Sequence, residues 1–281
     1  MKITYEIADI VPYINWVYFY HAWGMSGKPE AERRQLRREA EEALARLDGQ
    51  YHAYALFQLF DACSDGDDIV VFEGVRSQES GVRRIPCLRQ QQSESDYLCL
   101  SDFISPQNYS TDSCLLSPDS QIGVFATSVS HGLETDFDAD PYQKMMMQLL
   151  ADRLAEAAAE RLHLEVRKNY WGYAPDEDLS IDDLHVEKFQ GIRPAVGYPS
   201  LPDTSLNFVL DELLDMKQIG IRLTESGAMK PHASVSGLMM AHPQARYFSI
   251  GKIGEDQLIN YARRRGIPLE VCRKFLAASL T

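Results

Sequence analysis

The most distinctive stretch of this chain is residues 191–199, where two prolines and two glycines surround Arg193 and Tyr198. Proline cannot continue a helix and pushes the residue before it towards extended geometry, so the segment is predicted to be an extended ribbon. Such a ribbon has free backbone N–H and C=O groups that can hydrogen-bond a planar ring, and the fork of Arg193 can hold a carboxylate. A rigid connection between two elements would explain the same composition, and both interpretations stay open on these residues alone.

Composition narrows the classes of partner. The 281 residues include 28 Lys and Arg against 41 Asp and Glu, which gives a net charge of −13. Nucleic acids and anionic membranes bind basic surfaces, so we expect neither as a partner, although a local cationic site is compatible with this charge. No stretch approaches the roughly 20 apolar residues of a membrane span, and the N-terminus lacks a signal-peptide pattern, so we expect a cytoplasmic protein.

Common catalytic motifs are missing from the sequence. It contains no G-x-G-x-x-G or Walker loop, no His-Glu-x-x-His and no Gly-x-Ser-x-Gly nucleophile elbow. The seven histidines are scattered and the five cysteines include no Cys-x-x-Cys, so neither a metal site nor a disulfide framework is indicated. We therefore predict no catalytic residue and no metal ligand in this chain.

Apolar periodicity predicts the elements that must position the ribbon. Helices are predicted over about 29–47, 141–170, 205–218 and 254–265, the last of them ending in three arginines that complement the helix dipole rather than bind nucleic acid. Short β-branched or apolar runs place a sheet region between the first two helices, at 69–72, 97–100 and 122–126. Residues 233–240 and 246–250 are predicted to be two strands of a hairpin around the turn at 242–244.

Several motifs resemble a single protein family. With the GIRPAVGYP ribbon, they are similar to the activation domain of cobalamin-dependent methionine synthase: ADRLAEA at 151–157, YWGYAP at 170–175, LTES at 223–226, ASVSG at 233–237, His-Pro at 242–243 and YARR at 261–264. The similarity is nearly collinear from about residue 142 to the end. It is looser before that, where LRQQ at 88–91 and LSDF at 100–103 still correspond, so it covers almost the whole chain.

The resemblance implies a reactivation module that binds S-adenosylmethionine and is not a complete enzyme alone. In the family, cobalamin occasionally oxidises to inactive cob(II)alamin. The domain then docks over the cobalamin and presents S-adenosylmethionine, whose methyl group remethylates the cobalt after one-electron reduction, often by flavodoxin. The implied partners are a cobalamin-binding methionine synthase core, on another polypeptide or on the rest of the same chain, and a one-electron reductant such as flavodoxin. Cobalamin itself is implied only through the partner.

The resemblance also implies which residues form the site. Arg193 would bind the methionine carboxylate, backbone groups of Ala195 with Tyr198 alongside would hold the adenosine part, and Glu156 would lie near the cationic groups. The predicted hairpin strand would add two lining residues, Tyr247 and Phe248. A ligand with a sulfonium, an ammonium and a carboxylate does require an arginine, acidic or acceptor groups and aromatic faces.

The sequence departs from the family pattern at several positions. Asn15 stands where the family has an Asp that contacts the ligand's amino group, and the lost charge-assisted bond costs on the order of 1–2 kcal/mol. Phe248 replaces a Tyr, and Gly227, Lys230 and His232 change a stretch that is bulkier or less polar in other members. These departures motivate an alternative, an interaction protein that docks on a cobalamin protein but has lost S-adenosylmethionine binding.

A free-standing methyltransferase is a third and weaker hypothesis, because the sequence offers no evident general base or nucleophile and an open ribbon site does not exclude water. For the fold, we predict a single α+β domain over residues 1–281, with the resemblance less close before about residue 140. Its core is predicted to be a twisted, mainly antiparallel sheet with the 233–250 hairpin near its middle and helices packed around it. The ligand is expected in an open groove between the ribbon and the sheet.

Overall fold

The computed structural model describes residues 1–74, 81–91, 96–106 and 117–281. The strands are β1 (Lys2–Glu6), β2 (His52–Asp65), β3 (Asp68–Glu73), β4 (Gly81–Pro86), β5 (Gln121–Val129), β6 (Arg222–Leu223), β7 (Met229–Lys230) and β8 (Ser234–Met239). The α-helices are α1 (Ile7–Ile10), α2 (Trp16–Ala22), α3 (Glu30–Leu47), α4 (Pro141–Glu165), α5 (Ile181–His185), α6 (Leu206–Leu214), α7 (Glu255–Arg265) and α8 (Leu269–Phe275). Within the described ranges, no helix is both long enough and apolar enough to cross a membrane.

The central sheet is antiparallel, as predicted. Its strands lie in the order β4-β3-β2-β5-β8. One edge of β2 pairs with β1 along its first part and with β3 along its last part. The other edge pairs with β5 over residues 53–61, so the long β2 strand is the central strand of the sheet. Together with the surrounding helices this arrangement confirms the predicted α+β class.

The strand β5 is covered on both faces, which explains why its sequence is an almost continuous apolar run. Phe125 and Val129 belong to the core cluster that contains the apolar sides of α3 and α4. Ile122, Val124 and Ala126 alternate with them and belong to a second cluster, which contains the apolar side of α6. Because successive side chains of a strand point to opposite faces, both faces of the sheet must be covered to bury such a run.

The long helix α4 packs directly on the sheet. Asp140 caps its first turn by accepting hydrogen bonds from the backbone N–H groups of Tyr142 and Gln143, and Pro141 follows at the first helical position. Small buried side chains allow a close approach, and the Thr127 hydroxyl on β5 donates to the Ala155 carbonyl over 2.9 Å. A π-helical segment (Val166–Tyr170) continues the helix, so the predicted span of 141–170 is confirmed.

The predicted hairpin at 233–250 is wrong in its second strand and in its place in the sheet. The first strand forms as β8, but residues 246–250 form no strand, and β8 lies at the end of the strand order. The ribbon pairs with the free edge of β8 instead, so no edge remains there for residues 246–250. Four backbone hydrogen bonds of 2.9–3.0 Å make this contact: Ile192 with Met240 in both directions, Leu238 to Pro194, and Val196 to Ser236.

Other predicted elements differ in detail. The helix predicted over 205–218 ends at Leu214, because Asp215 adopts a left-handed conformation with φ of 53° and a 3-10 turn (Met216–Ile219) follows. The strand predicted at 97–100 is wrong, since Leu100–Phe103 is a 3-10 turn. The sequence predicts only that the arginines ending α7 complement the helix dipole, and the structure adds inward contacts. Arg264 donates to the carbonyl of Cys87, and Arg265 forms an ion pair with buried Asp203.

Candidate ligand-binding groove

A groove of about 920 Å³ lies where the ribbon meets α4 and the aromatic N-terminal segment, residues 13–22. All of the residues predicted for the site line it: Asn15, Glu156, Arg193, Ala195, Tyr198, Tyr247 and Phe248. They come from separate parts of the chain, namely the start of α2, the middle of α4, the ribbon and the segment after β8. The structure thus brings the predicted residues together in one open groove. The predicted place of the groove, between the ribbon and the sheet, is wrong: the ribbon is hydrogen-bonded to β8, and the groove lies on its other side, towards α4.

Arg193 is held at the inner wall of the groove. Its guanidinium donates to Glu160 over 3.0 Å, and the two side chains are only 11% and 13% exposed. Burial alone would lower the pKa of Arg193, but Glu160, Tyr247 and Glu156 together raise it by more, so the net shift is upward. Its Nε is buried without a protein hydrogen-bond partner among the described residues. The guanidinium therefore stays charged and keeps donors available for an anionic group.

The backbone of the ribbon is only partly free, which corrects the expectation that its N–H and C=O groups are available throughout. Alternate residues face β8 and are hydrogen-bonded to it, whereas Ala195 lies opposite Gly237 with its own N–H and C=O turned away from the strand. The Ala195 carbonyl accepts from the Tyr198 N–H over 3.2 Å, which closes a turn. Across residues 1–74, 81–91, 96–106 and 117–281 we find no protein partner for the Ala195 N–H, so this donor is open to a ligand.

Gly237 makes this arrangement possible. A Cβ atom built at this position would lie 2.2 Å from the Pro194 carbonyl oxygen and 2.8 Å from Cα of Ala195. Such distances are far below van der Waals contact, so only glycine lets the ribbon approach β8 this closely. Gly237 is therefore a positioning residue. In the sequence it stands out only as the last residue of the ASVSG motif at 233–237.

Tyr198 and Glu156 form the outer part of the groove. The Tyr198 hydroxyl donates to Glu156 Oε1 over 2.5 Å, which connects the ribbon to α4. Partial burial raises the pKa of Tyr198, and the neighbouring carboxylate raises it further. Half of the Tyr198 surface is exposed, so the ring presents an accessible aromatic face at the mouth of the groove.

Asn15 lies in the groove but also has a structural role. It is the N-cap of α2, and its Oδ1 accepts a hydrogen bond from the Val17 N–H over 3.2 Å. One lone pair of the amide oxygen is therefore used within the protein. The side chain can still offer its NH₂ group and a second lone pair to a ligand.

Tyr247 and Phe248 reach the groove although they do not lie on a strand. The Tyr247 hydroxyl accepts the backbone N–H of Arg193 over 2.9 Å, which fixes the ribbon beneath the guanidinium. Phe248 packs edge-on against Phe103 with a ring-centroid distance of 6.3 Å. The segment is anchored two residues later, where the Ile250 N–H donates to the Pro199 carbonyl.

Two carboxylates of the groove, Glu160 and Glu187, were not among the predicted site residues. Glu160 follows Glu156 by one helical turn on α4, so i,i+4 spacing was a usable signal for it. Glu187 comes from the loop after α5, where no local pattern marks it; burial raises its pKa, and Glu160 raises it further. With Arg153 and Arg193 as the arginines of the lining, carboxylates outnumber guanidinium groups. The groove therefore suits a ligand that combines one carboxylate with cationic groups.

Metal chemistry has no support in the described part of the chain. There, no group of three or more His, Cys, Asp or Glu side chains is placed to hold a metal ion. The arrangement instead offers groups that suit a small organic ligand: an arginine at one end, carboxylates and a tyrosine along the wall, and a free backbone N–H on the ribbon. Fold and groove together define an α+β domain with an open groove lined by charged and aromatic side chains.

The chain belongs to the family described as the vitamin B12 dependent methionine synthase activation domain, whose sequence profile matches residues 6–266. A solved structure described as the MetH reactivation domain bound to AdoHcy is similar to this chain throughout. It is 37% identical in sequence, with a TM-score of 0.88, and the match covers 100% of this chain and 90% of that chain. The family resemblance drawn from the motifs is therefore confirmed, together with the fold class.

Proposed function

We propose that this chain binds S-adenosylmethionine in the groove and presents it to the cobalamin of a methionine synthase, as a reactivation module. The observation that carries the proposal is the largely buried Arg193 held between Glu160 and Tyr247, beside the Glu156–Tyr198 pair. The similar MetH reactivation domain is bound to AdoHcy, which is S-adenosylmethionine without its transferable methyl group. S-adenosylmethionine supplies an electrophilic methyl group to the reduced cobalt of the partner protein.

The residues fit this ligand at its polar ends. Arg193 binds the carboxylate of the methionine part through the donors that Glu160 leaves free. Glu156 and the other carboxylates of the groove stabilise the ammonium and the sulfonium. The Ala195 N–H and the Tyr198 ring hold the adenosine part, the first as a hydrogen-bond donor and the second as an exposed aromatic face.

The openness of the groove fits presentation to a partner. The Tyr198 ring is half exposed at the mouth of the groove, so a large partner can reach a ligand held beside it. We therefore propose that the methyl acceptor, the catalytic modules and the reductant are supplied by the partners. These are a cobalamin-binding methionine synthase core, on another polypeptide or outside this sequence, and a one-electron donor such as flavodoxin.

A second candidate function rests on Asn15. The Asn15 amide carries no charge, and its Oδ1 already accepts a hydrogen bond from Val17. It therefore binds the ammonium group of a ligand more weakly than a free carboxylate would. A protein that docks on a cobalamin partner without binding S-adenosylmethionine would tolerate this substitution. Glu156 and Glu160 keep negative charge in the groove, and for that reason we favour S-adenosylmethionine binding.

Titration calorimetry with S-adenosylmethionine and with S-adenosylhomocysteine tests the proposal. We expect saturable binding of both, weakened at least about tenfold by Arg193→Gln. Arg246→Gln is the matched control, because Arg246 makes an exposed ion pair with Asp96 and does not line the groove. Absence of heat for the wild-type chain at about 1 mM ligand would favour the docking protein that has lost S-adenosylmethionine binding.

A further inference from the structure

A second groove, of about 820 Å³, lies on another part of the surface. It is formed by the turn after β5, the 3-10 turn that follows α6, and the small sheet of β6 and β7. Lys217, Arg222 and Lys230 line it with their exposed side chains. Such a concentration of cations stands out in a protein whose net charge is −13.

The placement of Arg222 and Lys230 points to a ligand. They are directly opposite each other in the antiparallel pair of β6 and β7, so their side chains leave the same face of that sheet. Like charges in this position destabilise a strand pair. Among the described residues, neither side chain has a carboxylate partner within ion-pair distance. An anion bound between them would remove the repulsion.

The remaining lining residues strengthen the cationic character. Lys217 approaches from the 3-10 turn and likewise has no ion pair in the described part of the chain. His131 and His232 add imidazole donors. Glu134 is the one carboxylate of this described lining, and its oxygens accept the backbone N–H groups of His232 and Ala233. Lys217, Arg222 and Lys230 therefore outnumber it in the groove.

We propose that this basic groove binds a small multiply charged anion of the phosphate class. Its size falls within the range of small-molecule sites, about 300–1,000 Å³. A docking surface for a protein would be broad, about 800 Å² on each partner, whereas these cations converge in one concave site. Lys and Arg are the usual ligands of phosphate oxygens.

Titration calorimetry of the whole chain with inorganic pyrophosphate tests the proposal. We expect saturable 1:1 binding that weakens steeply with added salt, and a Kd at least about tenfold higher for Lys230→Met and for Arg222→Gln. Lys274→Met is the control, because Lys274 lies on α8, outside the groove. Unchanged pyrophosphate binding in both groove variants would overturn the proposal, as would no binding by the wild type at about 10 mM.

A charge reversal separates binding from folding. Lys230→Glu would turn the repulsive pair with Arg222 into an ion pair, so we expect an unchanged or raised thermal midpoint together with loss of pyrophosphate binding. S-adenosylmethionine binding in this variant should match that of the wild type, which distinguishes this site from the ligand groove. If a polyglutamate peptide binds the wild type and pyrophosphate does not, the groove is a docking site for an acidic protein and the proposal is wrong.

Discussion

The Tyr198 hydroxyl donates a 2.5 Å hydrogen bond to Glu156, and this contact joins the ribbon to α4 across the mouth of the ligand groove. The two residues are 42 positions apart in the sequence, and both line the groove. The bond orients the carboxylate towards the space that a cationic ligand would occupy. It also holds the aromatic ring at the edge of that space.

Replacing Tyr198 by Phe tests the contribution of this bond. The bond holds the ring and the carboxylate in place before the ligand arrives. Without it the ligand must order them, at about 0.5–1.5 kcal/mol, so we expect S-adenosylmethionine to bind roughly 2- to 10-fold more weakly. Stability should change little, because the ring is half exposed and the freed carboxylate can reach water. Calorimetric Kd and the urea midpoint measure the two effects. A large loss of stability with unchanged affinity would contradict this role.

The Arg193–Glu160 pair makes a separate prediction. Because both side chains are largely buried, removing one partner leaves an uncompensated charge, and Arg193→Gln should cost about 3 kcal/mol of unfolding free energy. The double variant Arg193→Gln with Glu160→Gln removes both charges and should recover much of that loss. It should not recover ligand binding, since the guanidinium of Arg193, which binds the carboxylate of the ligand, is still missing. Recovery of binding would show that Arg193 does not contact the ligand.

Gly237 makes a prediction about the backbone. Gly237→Ala places a methyl group 2.2 Å from the Pro194 carbonyl oxygen, so the ribbon must move away from β8. We expect ligand affinity to fall by more than about 100-fold and stability to fall by about 1–3 kcal/mol. Gly81→Ala is the control, because a Cβ there meets only the flexible Glu73 side chain. Equal effects of the two substitutions would contradict the importance of close approach.

The raised pKa of Asp152 should make the stability of the protein depend on pH. Burial raises its pKa, and Glu134 and Glu156 raise it further against the opposing effect of Arg153 and His232. The folded state binds the proton of Asp152 more tightly than the unfolded state does. This contribution to stability is therefore present at low pH and is lost as pH rises through the raised pKa. Asp152→Asn removes this loss, so the variant should be more stable than the wild type at about pH 7 and nearly equal to it at about pH 3.5.

Urea unfolding at several pH values measures this difference. Asp182→Asn on α5 serves as the control, because Asp182 is exposed. A stability difference between Asp152→Asn and the wild type that stays constant with pH would contradict the raised pKa.

The sequence predicts much of this fold because the relevant patterns are local. The span of α4 follows from its apolar spacing and from Asp140 and Pro141 at its start, and the prolines of the ribbon predict its extended form. The pairing of the ribbon with β8 is long-range, and no local pattern distinguishes it from a hairpin partner at 246–250. That segment has a strand-like composition because Tyr247 and Phe248 are partly buried against the core.

The groove likewise combines residues that local sequence patterns indicate with residues that only the folded chain brings together. Arg193, Ala195 and Tyr198 were identified because they lie in one motif, and Glu160 was detectable by its helical spacing from Glu156. Glu187 was not detectable, since only the folded chain brings the loop after α5 to the groove. Asn15 was identified by family resemblance, whereas its use as the N-cap of α2 follows from the local Asn-Trp-Val geometry.

A cob(II)alamin reactivation assay tests the central claim most directly. It combines a methionine synthase core lacking an activation domain, a one-electron reductant and S-adenosylmethionine, with and without this chain, and follows the cobalamin spectrum. We predict that methylcobalamin forms only when both this chain and S-adenosylmethionine are present, and that Arg193→Gln slows its formation while Arg246→Gln does not. Remethylation at the same rate without this chain, or with Arg193→Gln in its place, would contradict the account.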